Sequence, residues 1–225
     1  MTRNIEFAPG EYFHLYNRGT ERRTIFSSET DYERMLALLY LCNGTIPVRM
    51  DGIRRKQGGR ALLEVLTEVD RGIPLVDICA YCFMPNHFHI LVHEKEGNGI
   101  SKFMQKIGNG YTGYFNTRYE RTGTLFQGKF KATHVDNDRY LKYLIAYIHL
   151  NPIKLIDPRW KENGIQNKKK ALTYLDQYQY SSYLDYRRDS RTQRIILNQD
   201  ALPQYFETPK DFAANISEWL DYKPD

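Results

Sequence analysis

The stretch Tyr81-Cys-Phe-Met-Pro-Asn-His-Phe-His-Ile-Leu-Val-His-Glu94 consists of two apolar runs separated by Pro85-Asn86. Apolar runs joined by such a pair predict a β-hairpin. Because alternate side chains of a strand share a face, His87 and His89 should project together while Phe88 points into a core. Two neutral imidazoles side by side form the first half of a metal site.

The patterns on either side of this hairpin predict an α+β fold. Predicted strands cover 11–17, 75–83, 88–93 and 126–135, and predicted helices cover about 29–41, 101–119 and 138–150. The order β-α-β-β-α-β, followed by a helix, is that of the ferredoxin-like split-βαβ core with an antiparallel sheet. Ser27 or Ser28 should cap the first helix, Ser101 the second, and Asp136 or Asn137 the third.

The chain is expected to form a core over residues 1–157 and a C-terminal helical extension over 158–225 that packs on it. An insertion over 44–73 interrupts the core and contains the basic, glycine-rich piece 54–60. We interpret this piece either as a mobile loop that grips DNA or as a plain insertion. His93 shares the strand face of the other two histidines by parity, and we interpret it as a spectator.

Composition is that of a globular protein, with 41% hydrophobic residues and a net charge of +5. No apolar stretch is long enough to span a bilayer, and the first residues lack the apolar core of a signal peptide, so we expect a cytoplasmic protein. Three cysteines argue against a disulfide framework. Cys79 and Cys82 have metal-site spacing, but in a strand they should face opposite ways, so we interpret them as buried free cysteines.

Basic residues are concentrated in the second half of the predicted core and alternate there with tyrosines. This pattern is typical of a nucleic-acid surface, where cations contact phosphates and aromatic rings stack on unpaired bases. A solvated basic helix with an aromatic core face is the alternative. The residues to which we assign DNA binding are Arg18, Lys102, Lys106, Arg118, Arg121, Lys129 and Lys131.

The last predicted core helix carries Tyr143, Tyr147 and Asn151 at i, i+4 and i+8, so they lie along one face. A tyrosine stripe is usually packing, and an asparagine before Pro152 is common at a helix end, so periodicity alone leaves their roles open. His149 lies about 200° around the helix from Tyr147 and is not an obvious ligand.

Together these motifs resemble those of a known family. His87-Phe88-His89 after Pro-Asn is the His-hydrophobic-His pattern of the HUH nucleases, and the chain resembles the REP-associated tyrosine transposases, which are IS200-like single-tyrosine transposases. The other motifs that carry the resemblance are Tyr16-Asn17-Arg18-Gly19, Ile25-Phe26, Phe83-Met84-Pro85-Asn86, Gly113-Tyr114-Phe115-Asn116, Gly123-Thr124-Leu125-Phe126-Gln127-Gly128-Lys129-Phe130, Tyr147-Ile148-His149-Leu150-Asn151-Pro152 and Tyr180-Ser181-Ser182-Tyr183.

The resemblance implies a divalent metal held by His87 and His89, with Asn151 in the position of the third ligand and Tyr147 as the nucleophile. Imidazoles favour zinc or the later transition metals, and a carbonyl oxygen suits magnesium or manganese. Spacing leaves this choice open, while the family favours Mg²⁺ or Mn²⁺.

The function expected from the resemblance is metal-dependent single-strand DNA cleavage and strand transfer at hairpin-forming repeats, through a 5′-phosphotyrosine. Its partner would be single-stranded DNA with a palindromic hairpin, and the protein would act as a monomer or homodimer. Since a phenol has a pKa of about 10, the attacking tyrosine must lose its proton to a base that the sequence does not name. The alternative is a non-catalytic protein that binds structured single-stranded DNA.

Overall fold

The fold is centred on a four-stranded antiparallel sheet in the order β2-β3-β1-β4. The computed structural model describes residues 5–50, 52–53, 58–187 and 191–221. The strands are β1 (Tyr12–Arg18), β2 (Val76–Met84), β3 (His87–Glu94) and β4 (Lys131–Val135). This strand order, with helices between β1 and β2 and between β3 and β4, confirms the predicted ferredoxin-like α+β core.

Helices cover both faces of the sheet. They are α1 (Glu29–Cys42), α2 (Leu62–Leu66), α3 (Gly99–Arg118), α4 (Asp138–Leu150), α5 (Trp160–Asn163), α6 (Lys168–Leu175), α7 (Tyr183–Arg187) and α8 (Pro209–Asp221). Short 3₁₀ turns are Thr20–Arg22, Asn151–Leu155, Thr192–Ile196 and Gln199–Ala201. Within the described part of the chain, no helix is both long and apolar enough to cross a membrane.

Alternation along β3 divides the interior into two cores, and Phe88 points into one of them, as the sequence predicted. Phe88, Ile90 and Val92 are buried with α1 and α3 on one face of the sheet. Leu91, on the other face, is buried with α4 and with α6 to α8. Because His87 and His89 have the same parity as Leu91, they project on the α4 face.

One prediction about β2 is wrong in its reasoning. Cys79 and Cys82 are both buried in the core on the α4 face, and they do not face opposite ways. The cause is a register shift between Ile78 and Ala80, where an extra residue enters the strand and shifts the alternation by one position. Both cysteines are nevertheless buried and free, as predicted.

The first helix begins at its predicted cap, and the second does not. Ser28 precedes α1, where the Asp31 carboxylate accepts hydrogen bonds from the backbone N–H groups of Ser27 and Ser28. α3 begins at Gly99, before Ser101, because the buried carboxylate of Glu94 accepts from the first backbone N–H groups of the helix. A carboxylate distant from the usual capping position therefore sets this helix start.

The predicted last strand is also shorter than expected. Lys131–Val135 pairs with β1, but the preceding segment turns away at Gly128, whose φ of +76° is the left-handed region that glycine favours. Before that turn the chain is held to the end of β1, since Gln127 N donates to Arg18 O at 2.8 Å. Residues 124–130 thus form a fixed loop beside the sheet.

The C-terminal extension packs on β2 and α4. Ser182 N donates to Tyr81 O at 3.0 Å, and the Tyr186 hydroxyl donates to Cys79 O at 2.7 Å.

Asn137 caps α4 by accepting from Tyr140 N, as predicted. The proposed boundary near residue 157 stays a prediction. In the predicted basic insertion, residues 51 and 54–57 lie outside the described part of the chain.

Candidate active site

Strand pairing places residues of β1 beside the two histidines. In the register of β1 and β3, Tyr16 lies opposite His89 and Arg18 lies opposite His87. His14, two residues before Tyr16, projects on the same face. Its Nε2 lies 2.8 Å from His89 Nδ1. Three histidines thus meet on the α4 face of the sheet, where the sequence alone indicated two.

Hydrogen bonds to the Nδ1 atoms orient both predicted ligands. Asn86 Oδ1 lies 2.6 Å from His87 Nδ1 and can only accept, so His87 Nδ1 carries the proton. The contact of His89 Nδ1 with His14 Nε2 joins two ring nitrogens, and the His89 tautomer that donates through Nδ1 leaves its Nε2 lone pair free, as in His87. Imidazole ligands of metals are typically held by such a bond to the other ring nitrogen.

The site holds its histidines in the neutral form. Burial, together with the charges of nearby cations, lowers the pKa of His87 to about 4. Burial, with a contribution from Lys161, lowers the pKa of His14 to about 4 as well. The pKa of His89 falls well below its ordinary value, mainly through burial and then through the two neighbouring imidazoles. At neutral pH these rings are therefore available as metal ligands.

α4 brings the candidate nucleophile to the histidines. The Tyr147 ring lies edge-on to His89, with 5.6 Å between ring centroids, and 6.3 Å from the ring of His14. Tyr143, one turn earlier, packs against Trp219 of α8. The two tyrosines of the predicted stripe therefore differ in surroundings, and Tyr147 is the one that lines the cleft with His87 and His89.

Asn151 lies one turn after Tyr147 and also lines this cleft. Its Nδ2 donates to Tyr147 O at 2.9 Å, which commits the nitrogen of the amide. Its Oδ1 accepts no hydrogen bond from the described residues. The side chain thus has an uncommitted oxygen in the same cleft as the two histidines. His149, by contrast, is fully buried and bonded to Ser182 Oγ at 2.7 Å, away from the cleft.

A lysine of the extension reaches the candidate nucleophile. Lys161 Nζ, on α5, donates a hydrogen bond to Tyr147 Oη at 2.8 Å and lies 4.1 Å from the centre of its ring. The sequence gives little indication of this contact, because Lys161 is one of many lysines and belongs to no recognisable motif. Only the path of residues 151–160 brings it back over α4.

Cations surround the histidines in a cleft of about 770 Å³. The cations that line it are Arg18, Arg22, Lys131, Lys154 and Lys161. Among the described residues that line the cleft there is no carboxylate. An arrangement of five cations without an opposing acid attracts a polyanion and retains it near the tyrosine.

The residues predicted to bind DNA divide into three groups. Arg18 and Lys131 line the cleft, whereas Lys102 and Lys129 line a larger cavity on the opposite side of the sheet. The other three have partners within the protein. Lys106 donates to Gly44 O, Arg118 pairs with Asp31, and Arg121 bonds Asn116. The sequence did not indicate Lys154, Lys161 or His14.

The donor set suits a divalent metal ion with open coordination positions. It would comprise the Nε2 atoms of His87 and His89 and the amide oxygen of Asn151, a mixture that is compatible with magnesium, manganese or zinc. Within the described ranges, no three or more His, Cys, Asp or Glu side chains form a cluster that could hold a metal. A third ligand would therefore be an amide, and solvent or substrate would complete the coordination.

Part of the chain matches the model of a known protein family. The family model described as Transposase IS200 like matches residues 53–151. The resemblance to IS200-like transposases is confirmed. The IS200-like segment includes both histidines of β3, Tyr147 and Asn151, whereas His14 and Lys161 lie outside it.

One solved structure and the curated proteins complete the comparison. The structure described as "Structure of the REP associates tyrosine transposase bound to a REP hairpin" is similar to this chain, with 16% sequence identity and a TM-score of 0.48. The match covers 92% of this chain and 95% of that chain. No curated protein matches this chain significantly.

Proposed function

We propose that this protein is a metal-dependent single-strand DNA endonuclease and strand-transfer enzyme that acts at hairpin-forming repeats. The observation that carries the proposal is a single cleft that brings Tyr147 to His87 and His89 among five cations. The IS200-like segment supports a transposase-type substrate. The sequence motifs that resemble those of REP-associated transposases support a palindromic single strand as the DNA partner.

In the proposed reaction Tyr147 Oη attacks the scissile phosphorus. A bond between Oη and phosphorus forms, the bond from phosphorus to the 3′ oxygen breaks, and the phenol proton passes to solvent while the 3′ oxygen takes one up. The products are a 5′-phosphotyrosine and a free 3′-hydroxyl. Attack by a 3′-hydroxyl on the phosphotyrosine reverses these changes and rejoins the strand.

Each part of the cleft has a role in this reaction. His87, His89 and Asn151 would hold the metal, which, when bound, neutralises charge on the scissile phosphate as a Lewis acid. His14 and Asn86 keep the ligand rings in the tautomer that leaves Nε2 free. Lys161 stabilises the developing phenolate of Tyr147 through the hydrogen bond that it donates. Arg18 and Lys131 contact the phosphates on either side.

A Tyr147→Phe variant tests the proposal. Wild-type protein, mixed with a single-stranded hairpin oligonucleotide and Mg²⁺ or Mn²⁺, should form a covalent adduct visible on denaturing gels. The variant should bind the oligonucleotide with unchanged affinity and form no adduct. A Tyr143→Phe variant is the matched control and should retain activity. Unchanged cleavage by Tyr147→Phe would refute the nucleophile, and binding without an adduct under either metal would favour the non-catalytic alternative.

One chain supplies both the proposed nucleophile and the proposed ligands, since the Tyr147 ring lies 5.6 Å from the ring of His89 in the same molecule. We therefore propose that the tyrosine acts on a phosphate bound at its own histidines, in a monomer or in either subunit of a homodimer. Mixing His87→Ala protein with Tyr147→Phe protein should then restore no cleavage. Recovery of activity on mixing would show that the tyrosine is exchanged between subunits.

A further inference from the structure

The turn 19–23 follows β1 at the rim of the candidate active site, and its backbone is strained. Glu21 and Arg22 both adopt the left-handed region, with φ of +56° and +59°. Residues other than glycine rarely adopt this region, and they persist there only where surrounding contacts hold them. The shape of the turn therefore depends on what it is bonded to.

Asn86, which lies between β2 and β3, holds both ends of this turn. Gly19 N donates to Asn86 O at 2.9 Å, and Asn86 Nδ2 donates to Arg22 O at 3.2 Å. A Cβ on Gly19 would collide with the carbonyl oxygen of Arg23, so glycine is needed for the turn to close on itself. The turn is thus attached to the residue that precedes the proposed ligand His87.

The bond to the turn determines which way the amide of Asn86 faces. Arg22 O is a carbonyl oxygen and can only accept, so the amide nitrogen must face the turn. The amide oxygen then faces His87 and lies 2.6 Å from its Nδ1. An amide turned the other way would donate to Nδ1 and require the ring proton on Nε2, where a metal could no longer bind. The turn therefore keeps His87 in its metal-binding tautomer.

The same turn presents the side chain of Arg22 to the cleft. Arg22 is exposed, lines the cleft, and makes no side-chain hydrogen bond or ion pair with a described residue. Arg23, the next residue, instead donates from its Nε to Thr20 O at 3.3 Å and does not line the cleft. Since guanidinium groups bind phosphates through charged hydrogen bonds, Arg22 is the arginine of this turn that is available to a nucleic-acid backbone.

We propose that Asn86 is a positioning residue that acts on two parts of the site through one amide. Its oxygen keeps His87 in the tautomer that binds metal, and its nitrogen holds the strained turn that places Arg22 on a backbone phosphate. The inference rests on the proposed function, because it takes His87 to be a metal ligand and the occupant of the cleft to be DNA. Metal affinity should then depend on the turn, and the phosphate contact of Arg22 should depend on Asn86.

Nitrogen-15 NMR without metal or DNA would show which nitrogen of His87 carries the proton, and titration calorimetry would measure Mn²⁺ affinity. We expect the Nδ1–H form in wild-type protein. Gly19→Ala displaces the turn, and the atoms that its Cβ would meet belong to the turn and to Ile25, not to His87. This variant and Asn86→Ala should both raise the Nε2–H form and weaken Mn²⁺ binding about tenfold. Arg22→Gln keeps the backbone carbonyl and should change neither.

Fluorescence anisotropy with a labelled single-stranded hairpin in EDTA would measure the phosphate contact separately from the metal. We expect Arg22→Gln to weaken DNA binding about fivefold, as the loss of one charged hydrogen bond would. Asn86→Ala should cause a similar loss, and the double variant should lose no more than either single variant, because both changes remove the same contact. Arg23→Gln removes the same charge from the same turn and is the matched control. It should bind DNA within about twofold of wild type.

Additive losses of DNA affinity in the double variant would overturn the proposal, as would an unchanged tautomer and Mn²⁺ affinity in folded Gly19→Ala. Undiminished DNA binding by Arg22→Gln would reject the phosphate contact. If circular dichroism shows that Gly19→Ala does not fold, Glu21→Val provides the same comparison, because a β-branched residue disfavours the left-handed region at this exposed position. Since none of these measurements uses cleavage, a failure here is distinct from a failure of the proposed function, which adduct formation reports separately.

Discussion

Lys161 Nζ donates a hydrogen bond to Tyr147 Oη across 2.8 Å, which joins the C-terminal extension to the candidate nucleophile. The same ammonium group lies 4.1 Å from the centre of the tyrosine ring. This contact gives the extension a direct part in the site. The ammonium group is placed where negative charge would develop on the Tyr147 oxygen during the proposed attack.

Replacement of Lys161 should slow the chemical step. We expect Lys161→Met to reduce the rate of adduct formation about 10- to 100-fold, because the phenolate loses its charged donor. Single-turnover rates of adduct formation at saturating DNA would measure this loss.

Two variants complete that experiment. Lys161→Arg should retain most of the rate, because it keeps the charge, whereas Lys169→Met removes an exposed lysine outside the cleft and should have no effect. A loss in Lys161→Met that is confined to DNA affinity, with an unchanged single-turnover rate, would assign the lysine to phosphate binding only.

Replacement of His14 should weaken metal binding. His14→Phe keeps an aromatic ring beside His89 but removes the Nε2 that bonds His89 Nδ1. Loss of such an outer partner typically reduces metal affinity about 10- to 100-fold. Calorimetric titration with Mn²⁺ or Zn²⁺ would measure the change.

His93 is the matched control for this metal titration. It lies on the same strand face, but its Nδ1 is 3.3 Å from Asp77 Oδ2 at a distance from the cleft. His93→Gln should therefore bind metal as wild type does, consistent with the prediction that His93 is a spectator. An equal loss of affinity in both variants would place the metal elsewhere on the strand.

The cations of the cleft should differ from those bonded within the protein in their effect on DNA binding. Lys131 is exposed and lines the cleft, whereas Lys106 donates to Gly44 O. We expect Lys131→Gln to reduce the slope of log K against log salt by about one, because one phosphate contact is lost. Lys106→Gln should leave the slope unchanged. Affinities measured between about 50 and 200 mM salt would distinguish them.

Acid should destabilise the fold through His149. Burial lowers the pKa of this fully buried ring to about 3, from an ordinary value of 6.5. The unfolded chain therefore binds a proton that the folded protein excludes, and stability is complete above pH 6.5 and is lost as pH falls toward 3. The expected slope is about 1.4 kcal/mol per pH unit in this window.

Urea unfolding at several pH values would measure this slope. His14 and His87, whose pKa values are lowered to about 4, add to the acid dependence with the same sign. The test is therefore a difference: His149→Gln should show a slope lower than wild type by about 1.4 kcal/mol per pH unit between pH 4.5 and 6. Parallel curves for the two proteins would show that His149 does not titrate on unfolding.

Local patterns in the sequence were sufficient to predict the helices and strands of the core and half of the candidate site. The alternation that turns His87 and His89 away from Phe88 follows from strand geometry alone, and the i, i+4 spacing of Tyr147 and Asn151 follows from helix geometry. The strand argument is wrong at Cys79, because the extra residue there depends on pairing with β3, which no local pattern reveals.

What the sequence determined by itself is therefore the element order, the pair of histidines and the tyrosine helix, since each depends on backbone periodicity within a few residues. Only the tertiary structure decided that His14 meets His89, 75 residues away, and that Lys161 returns to Tyr147. The cavity of about 1210 Å³ between α3 and the loop 124–130 likewise depends on elements that are distant in the sequence. Such contacts arise from strand pairing and from burial of the two cores, which depend on the whole chain.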